Sequence, residues 1–323
     1  MKLSKKIGFV LAFVILTSSL FTFVGCNTGE NDNGGMKIVC SVFPQYDICR
    51  VIVGTDENVV LLQKNGTDMH SYEPTSKDIL EIARCDLFVY TGGSSDGWVD
   101  GVIKASENKK MKAVALFEYC ALLPEETEGI FEGEHDHDHD HSHSDGTVYD
   151  EHVWMSVSNV IGIANGLTDE ICRIDPENES KYRDNCKNYI LQLQELDNQF
   201  REVCEGKKIV VADRFPFLYF AREYNISYCA AFPGCSAESE ASFETVRTLI
   251  DKTKEYGVKC IFKTDDSTGE VAQAVAQNTG CEVRVLYSCQ SVTDEQLKNG
   301  ESYLSFMREN LKTLQESFKS DGE

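Results

Sequence analysis

Seven histidines are available for chemistry in this chain, and six of them lie in "FEGEHDHDHDHSHSDGTVYDEHVW", residues 131–154. Five of those, His135, His137, His139, His141 and His143, alternate with Asp or Ser in a run with no apolar residue to bury. The sixth, His152, stands between Glu151 and the apolar pair Val153–Trp154, just ahead of a stretch with helical patterning. The seventh, His70 in "NGTDMHSYEPTSKDILEIARC", sits between the end of a strand pattern and the start of a helix pattern. That carboxyl edge is where open α/β sheets hold ligands. Imidazole is the commonest protein ligand for zinc. Two imidazoles on rim loops of one domain leave room for donors from a second.

The elements that must position them alternate in kind. "MKIVCSVF", "ENVVLLQ", "CDLFVYTGG" and "MKAVALF" read as buried parallel strands, with "PQYDICRVIVG", "TSKDILEIARC" and "DGWVDGVIKASE" as the helices between them. Thr75 or Ser76 ahead of Asp78 supplies a capping pattern for the second of these. The scheme repeats with strands "KKIVVA", "ISYCAA", "KCIFK" and "CEVRVL" and helices "FPFLYFAREY", "SFETVRTLIDKTKEYG" and "TGEVAQAVAQNTG", and the chain closes on "ESYLSFMRENLKTLQESF". The expected fold class is α/β: two doubly wound parallel-sheet domains, a metal cleft between them, and one long linking helix. The linker follows "DPEN". Tyr182, Cys186, Tyr189, Leu193, Leu196, Phe200 and Val203 recur in a 4-3 rhythm with no Gly or Pro before Gly206. That predicts a helix of about 29 residues, roughly 44 Å long, serving as a strut; a coiled-coil dimer seam is the competing use of the same stripe.

The two ends frame this body. "MKLSKK" and the apolar "IGFVLAFVILTSSLFTFV", closing on "FVGC", resemble a bacterial lipoprotein signal in which Cys26 becomes the acylated first residue. Residues 27–35 then read as a flexible tether. The expected boundaries are a signal and lipobox at 1–26, an N-terminal α/β domain at 36–175 with a His-rich loop at 132–145, the linking helix at 176–206 and a C-terminal α/β domain at 207–323. A net charge of −22 excludes nucleic acid as partner. Thirteen cysteines are many, but none is spaced CxxC, and Cys40, Cys229, Cys260 and Cys281 lie in or beside apolar runs. Export permits pairing and burial as small hydrophobes accounts for free thiols; the sequence leaves both open.

Taken together, "DMHSYEPTSKDILEIARCDLFVYTGG" and "DEHVWMSVSNV" resemble the zinc- and manganese-binding solute-binding lipoproteins of ABC metal transporters. The resemblance spans essentially the whole mature chain, including the linking helix, the acidic His-rich loop and "GESYLSFMRENLKTL". It implies that His70 and His152 each supply one metal ligand. It further implies zinc, or alternatively manganese, as cargo, a membrane permease as partner, and a monomer lipid-anchored at the outer face of the bacterial cytoplasmic membrane. A metal-dependent surface adhesin is a further reading. The C-terminal half departs from the pattern: Ala212 stands where the family has a ligand after "KKIVV", and Ser288 where an Asp follows the last strand. Asp213 is the favoured third ligand, with Cys289, Glu240 and Glu238 as weaker candidates. The histidine run then reads as accessory. Its sites are not pre-organised and bear ordering entropy, so it gathers or senses metal while His152 sets affinity.

Catalysis is not expected. A zincin needs His-Glu-x-x-His on one helix, and "EHVW" has no second His four residues on. No Walker loop, Gly-x-Ser-x-Gly elbow or Gly-x-Gly-x-x-Gly after the first strand occurs.

Overall fold

The two strand series become two four-stranded sheets with one repeated order. In the first, β1 (Ile38–Cys40), β2 (Val59–Leu61), β3 (Leu87–Tyr90) and β4 (Lys112–Ala115) run in the order β2-β1-β3-β4, all pairs parallel. In the second, β5 (Lys208–Phe215), β6 (Ser227–Pro233), β7 (Cys260–Thr264) and β8 (Glu282–Leu286) run β6-β5-β7-β8, again parallel. The structure, a computed structural model, describes residues 35–125, 147–236 and 240–320, and Met36 onward packs as one unit. Cys26 and His135 to His143 lie outside the described residues, as does Glu238.

Parallel strands require crossovers, and the amphipathic stretches supply them. They are α1 (Phe43–Val53), α2 (Ser76–Ala83), α3 (Val99–Ala105), α4 (Val157–Ile174), α5 (Glu179–Cys204), α6 (Leu218–Glu223), α7 (Phe243–Tyr256), α8 (Glu270–Thr279), α9 (Asp294–Lys298) and α10 (Tyr303–Ser320). Thr75 caps α2: its hydroxyl accepts from the Asp78 N–H, and the Asp78 carboxylate accepts from Thr75 in return.

The linking helix α5 has 26 residues, about 39 Å. Its buried stripe is Tyr182, Cys186, Tyr189, Leu193, Leu196, Phe200 and Cys204; Val203, the last position of the expected rhythm, is only part-buried. Helices α1, α4 and α10 pack along α5. The stripe that suits a coiled-coil seam is therefore covered from within the chain.

One apolar core runs from the first sheet past α5 into the second, and each sheet has a smaller cluster on its other face. Period-2 alternation sorts the residues: Ile209 and Val211 face the common core, Val210 and Ala212 the outer cluster. All twelve described cysteines are free, most of them buried, as small apolar residues would be. No described helix is long and apolar enough to cross a membrane.

Candidate metal centre

His70 sits in a short 3-10 turn, Met69–Ser71, in the connection between β2 and α2. Asp68 begins that turn: its Oδ1 accepts from the His70 N–H at 3.1 Å, while Met69 is buried beneath it. The other oxygen, Oδ2, accepts from Arg214 Nη1 at 2.7 Å, reaching across to β5 in the second half of the chain. Burial alone would raise the Asp68 carboxyl, but Arg214 and the His70 N–H outweigh it and hold it below its ordinary value. The His70 ring is oriented from behind. Its Nδ1 lies 2.9 Å from Ser95 Oγ and 3.5 Å from Glu151 Oε2.

Glu151 is buried beside the other histidine's loop and reaches over to this one. Its Oε1 accepts from the Ser95 N–H at 2.7 Å and from Ser94 Oγ at 3.0 Å. Oε2 has no hydrogen-bond partner and faces the His70 ring. Burial pushes this carboxyl up, but His70 and Ser95 more than reverse that and bring it down to about 2. Gly93 makes the fit possible, because a Cβ there would fall 2.3–2.5 Å from three atoms of the Glu151 side chain.

His152 is fully buried and is fixed by its own neighbour. Asp150 Oδ1 accepts from the His152 N–H at 2.8 Å and from Nδ1 at 3.1 Å. The Tyr219 hydroxyl donates to the Asp150 carbonyl at 2.9 Å, tying this loop to α6. Trp154 packs edge-on against the imidazole, with ring centroids 5.6 Å apart, and its indole N–H donates to the Ser288 carbonyl at 2.9 Å. Burial disfavours the imidazolium, but Asp150 and Glu151 outweigh it and raise the His152 pKa.

The Asp150 carboxylate, which only accepts, faces Nδ1 of His152, and the Ser95 hydroxyl faces Nδ1 of His70. The two Nε2 atoms face each other at 3.4 Å. With the proton of each ring on Nδ1, both are acceptors that repel at that separation unless a positive charge lies between them. Nitrogens bound to one tetrahedral zinc at about 2.0–2.1 Å stand roughly 3.3–3.4 Å apart, so the observed gap matches one shared ion. The pairing of each metal-facing imidazole with a carboxylate behind it is the usual way a protein orients such ligands. We therefore expect Asp150→Asn, which keeps the shape but loses the charge, to weaken zinc binding by about 10- to 100-fold in a competition titration.

Cys235 is the third group within reach. Its Sγ and the two imidazole nitrogens all lie within 4.8 Å of one another, the only such cluster of metal-binding types among the described residues. Burial, reinforced by the carboxylates of Asp150, Glu125 and Glu151, pushes its thiol well above the ordinary value. The residue before it, Gly234, is where the turn after β6 meets His152: a Cβ there would stand 2.7 Å from the Phe215 carbonyl oxygen and 3.2 Å from His152 Cε1.

The other candidates lie elsewhere. Asp213, the favoured third ligand, is not brought to the imidazole pair. It lies within β5, which continues to Phe215, and the register shifts between Val211 and Arg214. Its Oδ2 accepts from the Thr264 N–H and hydroxyl, each at 3.2 Å, and its Oδ1 from the Arg214 N–H at 2.9 Å. Cys289 is buried at a backbone position with φ 57°, its Sγ 3.9 Å from the Tyr287 carbonyl. Glu240 is exposed. Ser288, standing where an Asp ligand was sought, instead receives Trp154 on its carbonyl and donates its N–H to Asp265. Asp150, Glu151 and Cys235 were not singled out from the sequence. The acidic pair directly ahead of His152 was the available signal for the first two; an isolated Cys in "FPGCSAESEAS" offered almost none.

The chain thus combines a doubly repeated parallel fold with two carboxylate-backed imidazoles that converge between rim loops. Residues 38–317 match the family described as "Zinc-uptake complex component A periplasmic". The chain belongs to that family. It is 32% identical over 293 residues to the high-affinity zinc uptake system protein ZnuA of Bacillus subtilis (strain 168), covering 90% of each chain. It is 30% identical over 287 residues to the zinc-binding protein AdcA of Streptococcus pyogenes serotype M3, covering 87% of this chain but only 56% of AdcA. The chain thus spans little more than half the length of that relative. Among solved structures, the Zn(II)-bound ZnuA-like domain of Streptococcus pneumoniae AdcA is similar with a TM-score of 0.71 at 27% identity, over 88% of this chain and 99% of that one.

Proposed function

We propose that this protein is the extracytoplasmic receptor of a zinc importer: it captures Zn²⁺ between His70 and His152 and hands it to a membrane permease driven by an ATPase. The observation that carries the reading is the 3.4 Å approach of two Nε2 atoms whose other ring nitrogens are both held from behind. Zinc is what its relatives' names specify, and imidazole donors suit zinc over magnesium or calcium, which take oxygen. The cation is cargo, so the site needs a route for release and no general base; catalysis has no place in this reading. In this reading Cys26 carries a lipid that holds the receptor, as a monomer, at the outer face of the membrane. The segments 36–175 and 207–323 act as the two lobes, with 176–206 between them.

Release by wide hinge opening is opposed by the ties between the halves. Arg214 bonds Asp68, Tyr219 bonds the Asp150 carbonyl, and the Tyr303 hydroxyl bonds the Trp154 carbonyl at 2.7 Å. Movement of the rim loops over a fixed strut is the cheaper route. Calorimetric titration of the metal-free protein tests the reading: one tight zinc per chain is expected, and absence of tight binding would sink it. Deleting residues 132–145 should leave that one equivalent intact and remove only weak additional binding. Loss of the tight equivalent on deletion would make the histidine run the site.

A further inference from the structure

The capture reading names two ligands. We infer that Cys235 is the third, binding the cation as a thiolate, so that the site consists of two imidazoles and one sulfur and selects zinc against manganese. The inference rests on the capture reading and deepens it.

Geometry carries it first. With zinc–sulfur near 2.3 Å and zinc–nitrogen near 2.0–2.1 Å, a tetrahedral site has sulfur–nitrogen edges of about 3.5 Å. Here Sγ and one ring nitrogen of each histidine already lie within 4.8 Å of one another, so closure of those atoms asks a movement of at most about 1.3 Å. The turn that presents Cys235 is built to lie against His152: Gly234 has no Cβ where one would strike the Phe215 carbonyl. Cys235 is part-buried at the end of β6, whereas Cys40, Cys229 and Cys260 are buried within strands.

Most of the nearby carboxylate oxygens are already engaged. Asp150 holds the His152 ring, Glu151 stands behind His70, Asp68 is bonded by Arg214, and Asp213 by Thr264. A manganese site is made chiefly of carboxylate, carbonyl and water oxygens, while thiolate with imidazole suits zinc. The described cluster of metal-binding types offers the cation nitrogen and sulfur. On binding, Sγ–H gives its proton to solvent, an Sγ–metal bond forms, and no electron changes hands.

Cobalt(II) as a zinc surrogate tests this on the full chain. Wild type is expected to take up one Co²⁺ with visible ligand-field bands plus an intense near-ultraviolet thiolate-to-cobalt band. Cys235→Ser should keep the visible bands and lose the near-ultraviolet one, and its preference for zinc over manganese should narrow by about tenfold or more, the scale at which even outer ligand partners register. Cobalt bound by wild type without the near-ultraviolet band would overturn the thiolate assignment and leave the capture reading standing. No uptake of cobalt or zinc by wild type would overturn both. Should the serine variant fail to fold, alkylation of wild type decides: mass-mapped labelling of Cys235 should be blocked by one equivalent of zinc and not by manganese, and equal labelling with and without zinc would reject the ligand.

Discussion

Replacing His152 with Ala should lower zinc affinity by about two to three orders of magnitude in a chelator-competition titration. Structural zinc sites bind with about 10–16 kcal/mol shared among four ligands, so one ligand accounts for roughly 3–4 kcal/mol, and each 1.4 kcal/mol is a factor of ten. His152 should lie at the upper end. The residue is fully buried, Asp150 is bonded to its Nδ1, and Trp154 packs against it in an edge arrangement. His70→Ala should fall in the same range with a smaller thermal penalty, since His70 is only part-buried in a 3-10 turn. The two variants together give the decisive comparison. If either retains wild-type affinity, the ion is not shared between these two nitrogens, whatever their separation in the free protein.

How much of this was legible beforehand depends on the kind of signal. The strand-helix alternation and the long helix are written in composition and period, and helix α5 lies within the expected 176–206. Both histidines were legible because each sits beside residues with readable jobs: Thr75 and Asp78 start α2 after one, and Val153–Trp154 anchor the other. The third donor was not. Asp213 looked like the carboxyl end of a short apolar strand, but β5 runs on to Phe215, and the irregularity between Val211 and Arg214 re-aims its residues. No residue type announces such a register shift. Cys235 was hidden for a different reason. A thiol reads identically in a core strand and in a ligand turn, and only the fold brings the end of β6 to the loop of His152. The positioning carboxylates were half legible: "DEH" shows two acids, but which imidazole each serves depends on the approach of Gly93 to Glu151.

The ligand variants should change affinity and spare the fold; Asp47→Ala should do the reverse. Asp47 lies on α1, with its carboxylate fully buried. Its Oδ1 accepts from Arg50 Nε at 2.6 Å, and its Oδ2 accepts from the Tyr303 N–H at 2.9 Å, at the start of α10. Arg50 continues the bridge by donating from Nη2 to the Glu301 carbonyl at 2.9 Å. One carboxylate thus joins the first described helix to the last. Burial raises the Asp47 carboxyl above its ordinary value even with Arg50 and the Tyr303 N–H opposing it, so the position holds a charge at a cost that only those partners offset. Removing the acid strands both donors. Breaking a buried pair from one side costs about 3–5 kcal/mol, which for a chain of this size lowers the melting temperature by about 5–8 °C. The folded fraction should still take up one zinc with near-native affinity, because Asp47 touches neither ligand loop. Asp47→Asn, which keeps one acceptor and sheds the charge, should recover part of the loss. An unchanged melting temperature in Asp47→Ala would mean that α5 and the common core alone hold the halves together. The Asp47 bridge between α1 and α10 would then add nothing to the ties that oppose hinge opening.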